Sequence, residues 1–159
     1  MFDAGERGQQ DAFARAIGAL RHRERSVAEM HAWLIERGVG EGVVDDVISE
    51  LIEVGELDDD RFARAYADDK RELSGWGPER IEAALVDRGL ERSLAESASG
   101  EEWDEQLERA VAQLGRRAEP LEDEGGRARA LSFLTRRGYD YELAYEAIRR
   151  AGGREDAAA

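Results

Sequence analysis

The chain has 159 residues, 42% of them apolar and 38% charged, with a formal net charge of −14 and no cysteine. The lack of cysteine excludes disulfides, thiolate metal sites and cysteine nucleophiles, while the apolar share suffices for a packed core. No stretch is long and apolar enough for a signal peptide or a membrane span, so we expect a cytoplasmic protein that does not contact membranes.

Helical periodicity predicts nine helices in three groups of three, and the first helix of each group is expected at 11–23, 61–73 and 105–116. The middle helices carry start signals. Ser26 and Glu29 have capping-box spacing, and Gly77 precedes Pro78 at the first helical position. Asp58 or Asp59 is expected to cap the helix that follows.

A pattern of the form Leu-x-x-Arg-Gly-apolar occurs three times, beginning at Leu34, Leu85 and Leu134, at spacings of 51 and 49 residues. The glycine supplies the left-handed residue that ends a helix, and the arginine faces the negative end of the helix dipole. The sequence therefore predicts an all-α fold of three tandem three-helix repeats of about 50 residues each. The expected boundaries are 10–57, 58–100 and 101–152, with tails at 1–9 and 153–159.

No catalytic, cofactor or metal site is predicted. The two histidines are nine positions apart, which is not the spacing of a helical metal pair, and no phosphate-binding glycine loop is present. The Asp58–Asp60 run is better explained by helix capping than by Mg²⁺ binding. We therefore expect a protein that is not an enzyme.

The acidic residues of the chain concentrate at 41–60 and 97–115, and Lys70 is the only lysine.

One central segment resembles the bacterial regulatory protein family RecX. The resemblance begins at Leu57-Asp58-Asp59-Asp60-Arg61-Phe62-Ala63, continues through Arg71 and Gly77-Pro78-Glu79-Arg80-Ile81, and ends at Leu85-Val86-Asp87-Arg88-Gly89-Leu90. Weaker matches flank it, so that the resemblance covers residues 10–150. It departs from the family in its low lysine content and in the acidic, glycine-containing segment 97–125.

The resemblance implies an elongated, curved array, right-handed or solenoid-like, that regulates homologous recombination, DNA repair and the SOS response. The expected partners are RecA and its filament on single-stranded DNA, whose recombinase, ATPase and coprotease activities would be inhibited. Weak direct contact with DNA and a monomeric state are also expected. Arginine suits such contacts because it binds carboxylates and phosphates through two parallel hydrogen bonds. The candidate partner-binding residues are Arg61, Arg64, Lys70, Arg71, Arg80, Arg88, Arg127, Arg129, Arg136 and Arg137.

Within this set Arg61, Arg64 and Arg71 have a spacing that suggests one helix face. Six aromatic residues at apolar helical positions are expected in the core: Trp33, Phe62, Tyr66, Phe133, Tyr139 and Tyr145. Trp76 is expected either on the surface or in a hydrophobic staple with Ile81.

Two alternative functions remain open at this point. One is a helical DNA-binding regulator that acts without RecA, although the acidic composition disfavours it. The other is a helical scaffold that binds a different protein, which would require an exposed apolar patch.

Overall fold

The computed structural model describes residues 3–117 and 119–158, with side chains described through residue 153. These residues form nine α-helices and no strand. The first repeat holds α1 (Ala4–His22), α2 (Val27–Glu36) and α3 (Glu41–Glu53). The second holds α4 (Asp59–Ser74), α5 (Pro78–Asp87) and α6 (Arg92–Ser99), and the third holds α7 (Trp103–Gly115), α8 (Glu124–Arg136) and α9 (Tyr141–Ala158). The predicted all-α repeat architecture is confirmed.

The hydrophobic core is divided into three clusters, and each cluster draws its residues from one repeat. The clusters lie within residues 12–57, 62–98 and 107–151. The leucine that begins each repeated pattern is at the centre of its cluster, since Leu34, Leu85 and Leu134 are at most 1% exposed. Apolar burial therefore stabilises each repeat from within, and polar contacts join one repeat to the next.

Local capping explains most of the helix starts. Ser26 forms a reciprocal capping box with Glu29, and Gly77 precedes Pro78 at the start of α5, as the sequence predicts. Asp58 accepts the backbone N–H of Arg61 and caps α4. The start of α8, for which the sequence offers only a glycine pair, is capped by Asp123.

The chain ends differ from the sequence-based expectation. Helix α1 begins at Ala4, inside the segment expected to be a tail, because Asp3 and Glu6 form a second capping box. Helix α9 continues to Ala158, beyond residue 152. Residues 1, 2 and 159 of the expected tails lie outside the described residues. Among the helices described, none is both long and apolar enough to cross a membrane.

The aromatic residues divide between core and surface. Tyr139 is fully buried and Phe62 nearly so, as expected. The prediction for Tyr145 is wrong: it is 60% exposed and packs against Tyr141 one turn earlier, with ring centroids 5.9 Å apart. The two rings lie on the outer side of α9, whose inner side is formed instead by residues such as Leu143 and Ala147.

Candidate partner interface at the repeat junctions

The first and second repeats meet where the start of α2 touches the end of α5. The Ser26 hydroxyl donates a 2.7 Å hydrogen bond to the carbonyl oxygen of Arg88, and the N–H of Val27 donates to Asp59 Oδ1 at 2.8 Å. The Arg88 guanidinium donates two hydrogen bonds of 3.0 Å to the carboxylate of Glu29. Arg88 therefore links two repeats.

The pKa values of the two carboxyl groups at this junction, Glu29 and Asp59, are shifted in opposite directions. Burial acts to raise the pKa of Glu29, but the hydrogen bonds from Arg88 and from the Ser26 N–H outweigh it and hold that pKa below its usual value. Burial raises the pKa of Asp59, in spite of the hydrogen bond from the Val27 N–H. The junction therefore holds Glu29 as an anion.

The second and third repeats meet in the same way, one repeat later. The backbone N–H of Gly77, at the start of α5, donates to the carbonyl oxygen of Arg137 at 2.8 Å, and that of Glu79 donates to Gly138 at 3.0 Å. The buried hydroxyl of Tyr139 donates to the carbonyl oxygen of Gly75 at 2.8 Å. Burial raises the pKa of Tyr139 to about 12. These bonds fix the start of α5 against the end of α8.

Cations and aromatic rings alternate along the surface that leads to this second junction. Arg88 lies over the Tyr66 ring at 5.6 Å, and the ammonium of Lys70 lies 5.4 Å from Tyr66 and 4.7 Å from Trp76. Arg80 covers Trp76 at 4.1 Å. We call these five residues the basic–aromatic row. Such contacts hold each cation above a ring face, where the ring quadrupole attracts it.

The basic–aromatic row ends in an open depression of about 520 Å³ between α5 and α8. We call it the junction hollow, and its lining is Ser74, Trp76, Arg80, Phe133, Arg136 and Arg137. No carboxylate contributes to this lining. Arg80 donates to the carbonyl oxygen of Arg136 at 3.2 Å, and the Arg137 guanidinium lies 4.7 Å from the Phe133 ring. The hollow therefore presents positive charge beside two aromatic rings.

Three cations around the junction hollow are available to an outside partner. Lys70, Arg80 and Arg136 take part in none of the ion pairs formed among the described side chains. Arg137 is in no ion pair either, but its half-buried guanidinium donates to the carbonyl oxygen of Ser74 and is not counted with them. Arg80 and Arg136 are exposed, whereas Lys70 is half-buried. Because no internal carboxylate neutralises these cations, a partner anion can bind them without displacing one.

The three arginines expected to share one face of α4 have different surroundings. Arg61 donates to Glu24 at 3.1 Å and to the carbonyl oxygen of Gly55 at 2.9 Å. Arg64 is exposed and paired with Asp60 on its own helix. The side chain of Arg71 is only 14% exposed and lies beside Glu101, at 3.6 Å. The structure therefore leaves Arg64 most accessible and uses Arg71 inside the molecule.

Glu101 is the centre of a partly buried charge cluster. Its side chain is 7% exposed, and its carboxylate receives two hydrogen bonds from Arg109, one of them 2.7 Å long. The hydrogen bond to Glu101 raises the pKa of the Arg109 guanidinium. Arg71 adds a hydrogen bond of 2.9 Å to the carbonyl oxygen of Ala98. The cluster ties α4 to the segment between α6 and α7.

Arg127 and Arg129, also predicted as partner-binding residues, support the segment before α8. Arg127 donates to the carbonyl oxygens of Leu121 and Glu122, at 3.1 and 2.8 Å. Arg129 donates to Glu119 at 2.8 Å. Neither residue reaches the junction hollow. The structure thus brings together Lys70, Arg80, Arg136 and Arg137, and Arg88 joins them through Tyr66.

The sequence reasoning missed the aromatic part of this surface. Tyr66 and Phe133, which are expected in the core, do pack against it, but each is partly exposed and carries cations on its outer ring face. The available signals were the spacing of four between Tyr66 and Lys70, and the same spacing between Phe133 and Arg137, which puts each pair on one helix face.

Each of the three consecutive aspartates Asp58–Asp60 has a structural role. Asp58 caps α4, Asp59 binds the start of α2 and Asp60 pairs with Arg64. Within the described part of the chain no group of three acidic or histidine side chains is arranged to hold a metal ion.

Two models of known protein families match this chain. The model of the first three-helix domain of RecX matches residues 12–51, and that of the second three-helix domain matches residues 58–98. Each matched segment lies inside one of the repeats.

Similar proteins extend over nearly the whole chain. The regulatory protein RecX of Mycobacterium sp. (strain JLS) is 33% identical over 165 residues, covering 96% of this chain and 89% of that protein. That of Pseudomonas savastanoi pv. phaseolicola (strain 1448A / Race 6) is 32% identical and covers 87% of this chain and 90% of its own. The crystal structure of RecX from Lactobacillus salivarius has the same fold, with a TM-score of 0.84 at 20% identity over 92% of this chain and 97% of its own. The chain belongs to the RecX family of regulatory proteins.

Proposed function

We propose that this chain binds RecA and its filament on single-stranded DNA and inhibits the recombinase, ATPase and coprotease activities of RecA. We further propose that Lys70, Arg80 and Arg136 make the central contacts. The observation that carries this assignment is that Lys70 and Arg80 lie over the Trp76 ring and that Arg136 lines the adjoining junction hollow, while none of the three is in an ion pair among the described side chains.

The arrangement has the properties of an interface centre. Tryptophan and arginine are enriched among the residues that contribute most to protein–protein binding, because they bury large surfaces and form directed hydrogen bonds. Here Trp76 packs against the core of the second repeat, and Arg80 is held over its ring. Because the backbone bonds between α5 and α8 fix the hollow in advance, little conformational entropy is lost when a partner binds.

Charge favours a protein partner over bare DNA. The net charge of −14 repels nucleic acid at long range, so direct binding of DNA is expected to be weak and confined to the basic–aromatic row. A RecA surface that carries carboxylates beside apolar groups would complement the junction hollow.

The test measures the single-stranded-DNA-dependent ATPase of the host's RecA while this protein is titrated in. The test variant combines Lys70→Glu, Arg80→Glu and Arg136→Glu, and we expect it to need at least about tenfold more protein for half-inhibition. The control combines Arg15→Glu, Arg92→Glu and Arg149→Glu, which changes the net charge by the same amount at exposed sites outside the row. Circular dichroism checks that both variants are helical.

The possible outcomes distinguish a wrong choice of contact residues from a wrong function. Equal inhibition by the test variant would reject the proposed surface, and no change of the ATPase by the unaltered chain would reject RecA regulation. Strand-exchange and coprotease assays with the same variants complete the comparison.

The row also supports a second candidate function, because aromatic rings beside cations bind unstacked bases. Fluorescence anisotropy of labelled single-stranded DNA without RecA tests this alternative. Tight binding that falls steeply with salt and is lost in the Lys70, Arg80 and Arg136 variant would favour a DNA-binding regulator that acts without RecA.

A further inference from the structure

The turn that ends the second helix of each repeat has the same backbone geometry three times. In all three turns the N–H of the residue after the glycine donates a 3.2 Å hydrogen bond to the carbonyl oxygen of the repeated leucine. The glycines Gly38, Gly89 and Gly138 have φ values of 81°, 88° and 99°. The turns are therefore three copies of one local structure.

The second and third copies each bind the start of a helix from the preceding repeat. At the second turn, Ser26 donates to the Arg88 carbonyl oxygen and Glu29 pairs with the Arg88 guanidinium. At the third turn, Gly77 and Glu79 donate backbone hydrogen bonds to Arg137 and Gly138.

The approach of the bound helix is close in both cases. A Cβ on Gly89 would lie 2.4 Å from the Cβ of Ala28, and a Cβ on Gly138 would lie 2.5 Å from the backbone nitrogen of Arg80. Both turns are thus filled by the first turn of a neighbouring helix.

Common chemistry explains why a helix start fits these turns. The end of a helix presents unpaired carbonyl oxygens and a partial negative charge, while the start of a helix presents N–H donors and a partial positive charge. Both bound helices also carry a glutamate in the first turn, Glu29 in α2 and Glu79 in α5. The pairing of Glu29 with Arg88 shows how such an acid meets the arginine of the turn.

The first copy of the turn is open. A Cβ on Gly38 would have no other atom within 4 Å, and both Arg37 and Gly38 are exposed. The Arg37 guanidinium lies 3.8 Å from the centre of the Trp33 ring and forms no ion pair among the described side chains. Arg25 lies on the same ring at 5.7 Å. The open turn is therefore basic, like the two that are filled.

We propose that the Arg37–Gly38 turn is a docking site for the N-terminus of a helix of another protein, with a small or hydroxyl-bearing N-cap residue and a glutamate in the first turn. The glutamate would pair with Arg37, and the N-cap would donate to the carbonyl oxygen of Arg37. The proposal does not require that the partner be RecA.

A second copy of this chain does not offer a suitable second-helix start. The start of α2 is bound to Arg88, and the start of α5 is bound to Arg137. The start of α8 is covered by its own chain, since a Cβ on Gly126 would lie 1.7 Å from the carbonyl oxygen of Pro120. The starts of α1 and α3, which carry Glu6 and Glu41 in their first turns, are exposed, but neither helix is the second of a repeat, which is the kind of helix that fills the other two turns. We therefore assign the site to a different protein.

The test uses the full chain labelled with ¹⁵N and a stapled peptide with the sequence of residues 24–36, cross-linked at positions 31 and 35. This peptide carries Ser26 and Glu29, and its helicity is established by circular dichroism before the titration. We expect the chemical-shift changes caused by the peptide to be concentrated at the amides of Gly38 and Val39 and at the Trp33 indole. The peptide with Glu29→Lys and the chain with Arg37→Glu should each bind at least fivefold more weakly, and the two together should recover part of the loss. The Arg92→Glu chain is the control.

Two results would overturn the proposal: no chemical-shift changes with a helical peptide, or changes centred away from Gly38, such as changes at Gly89 alone, which would show displacement of the internal α2. Sedimentation equilibrium of the chain alone gives a further check. Self-association that Arg37→Glu abolishes would assign the site to a second copy and reject a different protein as the occupant.

Discussion

Ser26 and Arg88 are 62 positions apart, and a 2.7 Å hydrogen bond joins the hydroxyl of one to the carbonyl oxygen of the other. The same Ser26 oxygen accepts the N–H of Glu29, so one hydroxyl both caps α2 and attaches the first repeat to the second. Gly77 and Arg137 repeat the relationship with a backbone donor. At these two junctions the repeated turn and the contact between repeats are therefore one structure, in which the end of one helix receives the start of another.

The ion pair between Glu29 and Arg88 should show measurable coupling. We expect Glu29→Gln and Arg88→Met to lower the free energy of unfolding, and a double-mutant cycle to give a coupling of about 1–2 kcal/mol, because the pair is bidentate and partly shielded from water. Urea unfolding followed by circular dichroism measures the four proteins. Additive effects within error would mean that the pair contributes nothing to the junction.

The same pair should make stability depend on pH. The folded-state pKa of Glu29 lies below its ordinary value of 4.5, so its contribution is complete above about pH 4.5 and is lost as the pH falls through the folded pKa. Asp59 has a raised folded-state pKa, so its effect on the pH dependence of stability has the opposite sign. The difference in unfolding free energy between the parent and Glu29→Gln should therefore shrink between pH 6 and about pH 3. A difference that stays constant over this range would contradict the assignment.

The three repeat glycines should respond differently to alanine. All three have positive φ, so each substitution carries a backbone strain of about 1 kcal/mol. At Gly38 that strain is the whole cost, since nothing lies near the new Cβ, whereas Gly89→Ala and Gly138→Ala also force a neighbouring repeat away and should cost about 2–4 kcal/mol. Denaturant unfolding of the three variants tests the order. Equal losses would show that the junctions open without cost.

Local sequence signals were enough to predict the helices, the repeat and most caps, because each depends on residues within one turn of each other. Ser26, Gly77 and the left-handed glycines are examples. The roles of the arginines could not be predicted in this way. Arg71 and Arg64 look equivalent along α4, but Arg71 is covered by the last turn of α6 and the segment after it, which fold against it from 27 and 29 residues away.

The same limit applies to the candidate interface. Lys70 and Arg80 were predicted as partner-binding residues from their type and from the family resemblance, but their arrangement around Trp76 depends on how the α4–α5 loop turns. Arg136 reaches them only because the third repeat docks on the start of α5. Long-range packing therefore decides which arginines surround the junction hollow, and residue spacing does not reveal it.

The repeated leucines should be among the most costly positions to truncate. Leu34→Ala, Leu85→Ala and Leu134→Ala should each lower the free energy of unfolding by about 2–5 kcal/mol, because each side chain is fully buried in its cluster. Leu73→Ala, at an exposed leucine on α4, is the control and should cost less than about 0.5 kcal/mol. A loss below about 1 kcal/mol at any of the three would contradict the repeat alignment.

Tyr139 should make the second junction sensitive to alkali. Its folded pKa is about 12 and its ordinary value is 10, so the folded state keeps the phenol proton that the unfolded chain releases. Its contribution is complete below about pH 10 and is lost as the pH rises toward 12, by an amount on the order of 2 kcal/mol. Tyr139→Phe removes both this titration and the hydrogen bond to Gly75, at a cost of about 1 kcal/mol at neutral pH. Urea unfolding of both proteins between pH 8 and about pH 11.5 tests the prediction. The parent should lose more stability than the variant as the pH rises, because only in the parent does unfolding release the Tyr139 phenol proton. Parallel curves would show that Tyr139 releases its proton as readily in the folded protein as in the unfolded chain.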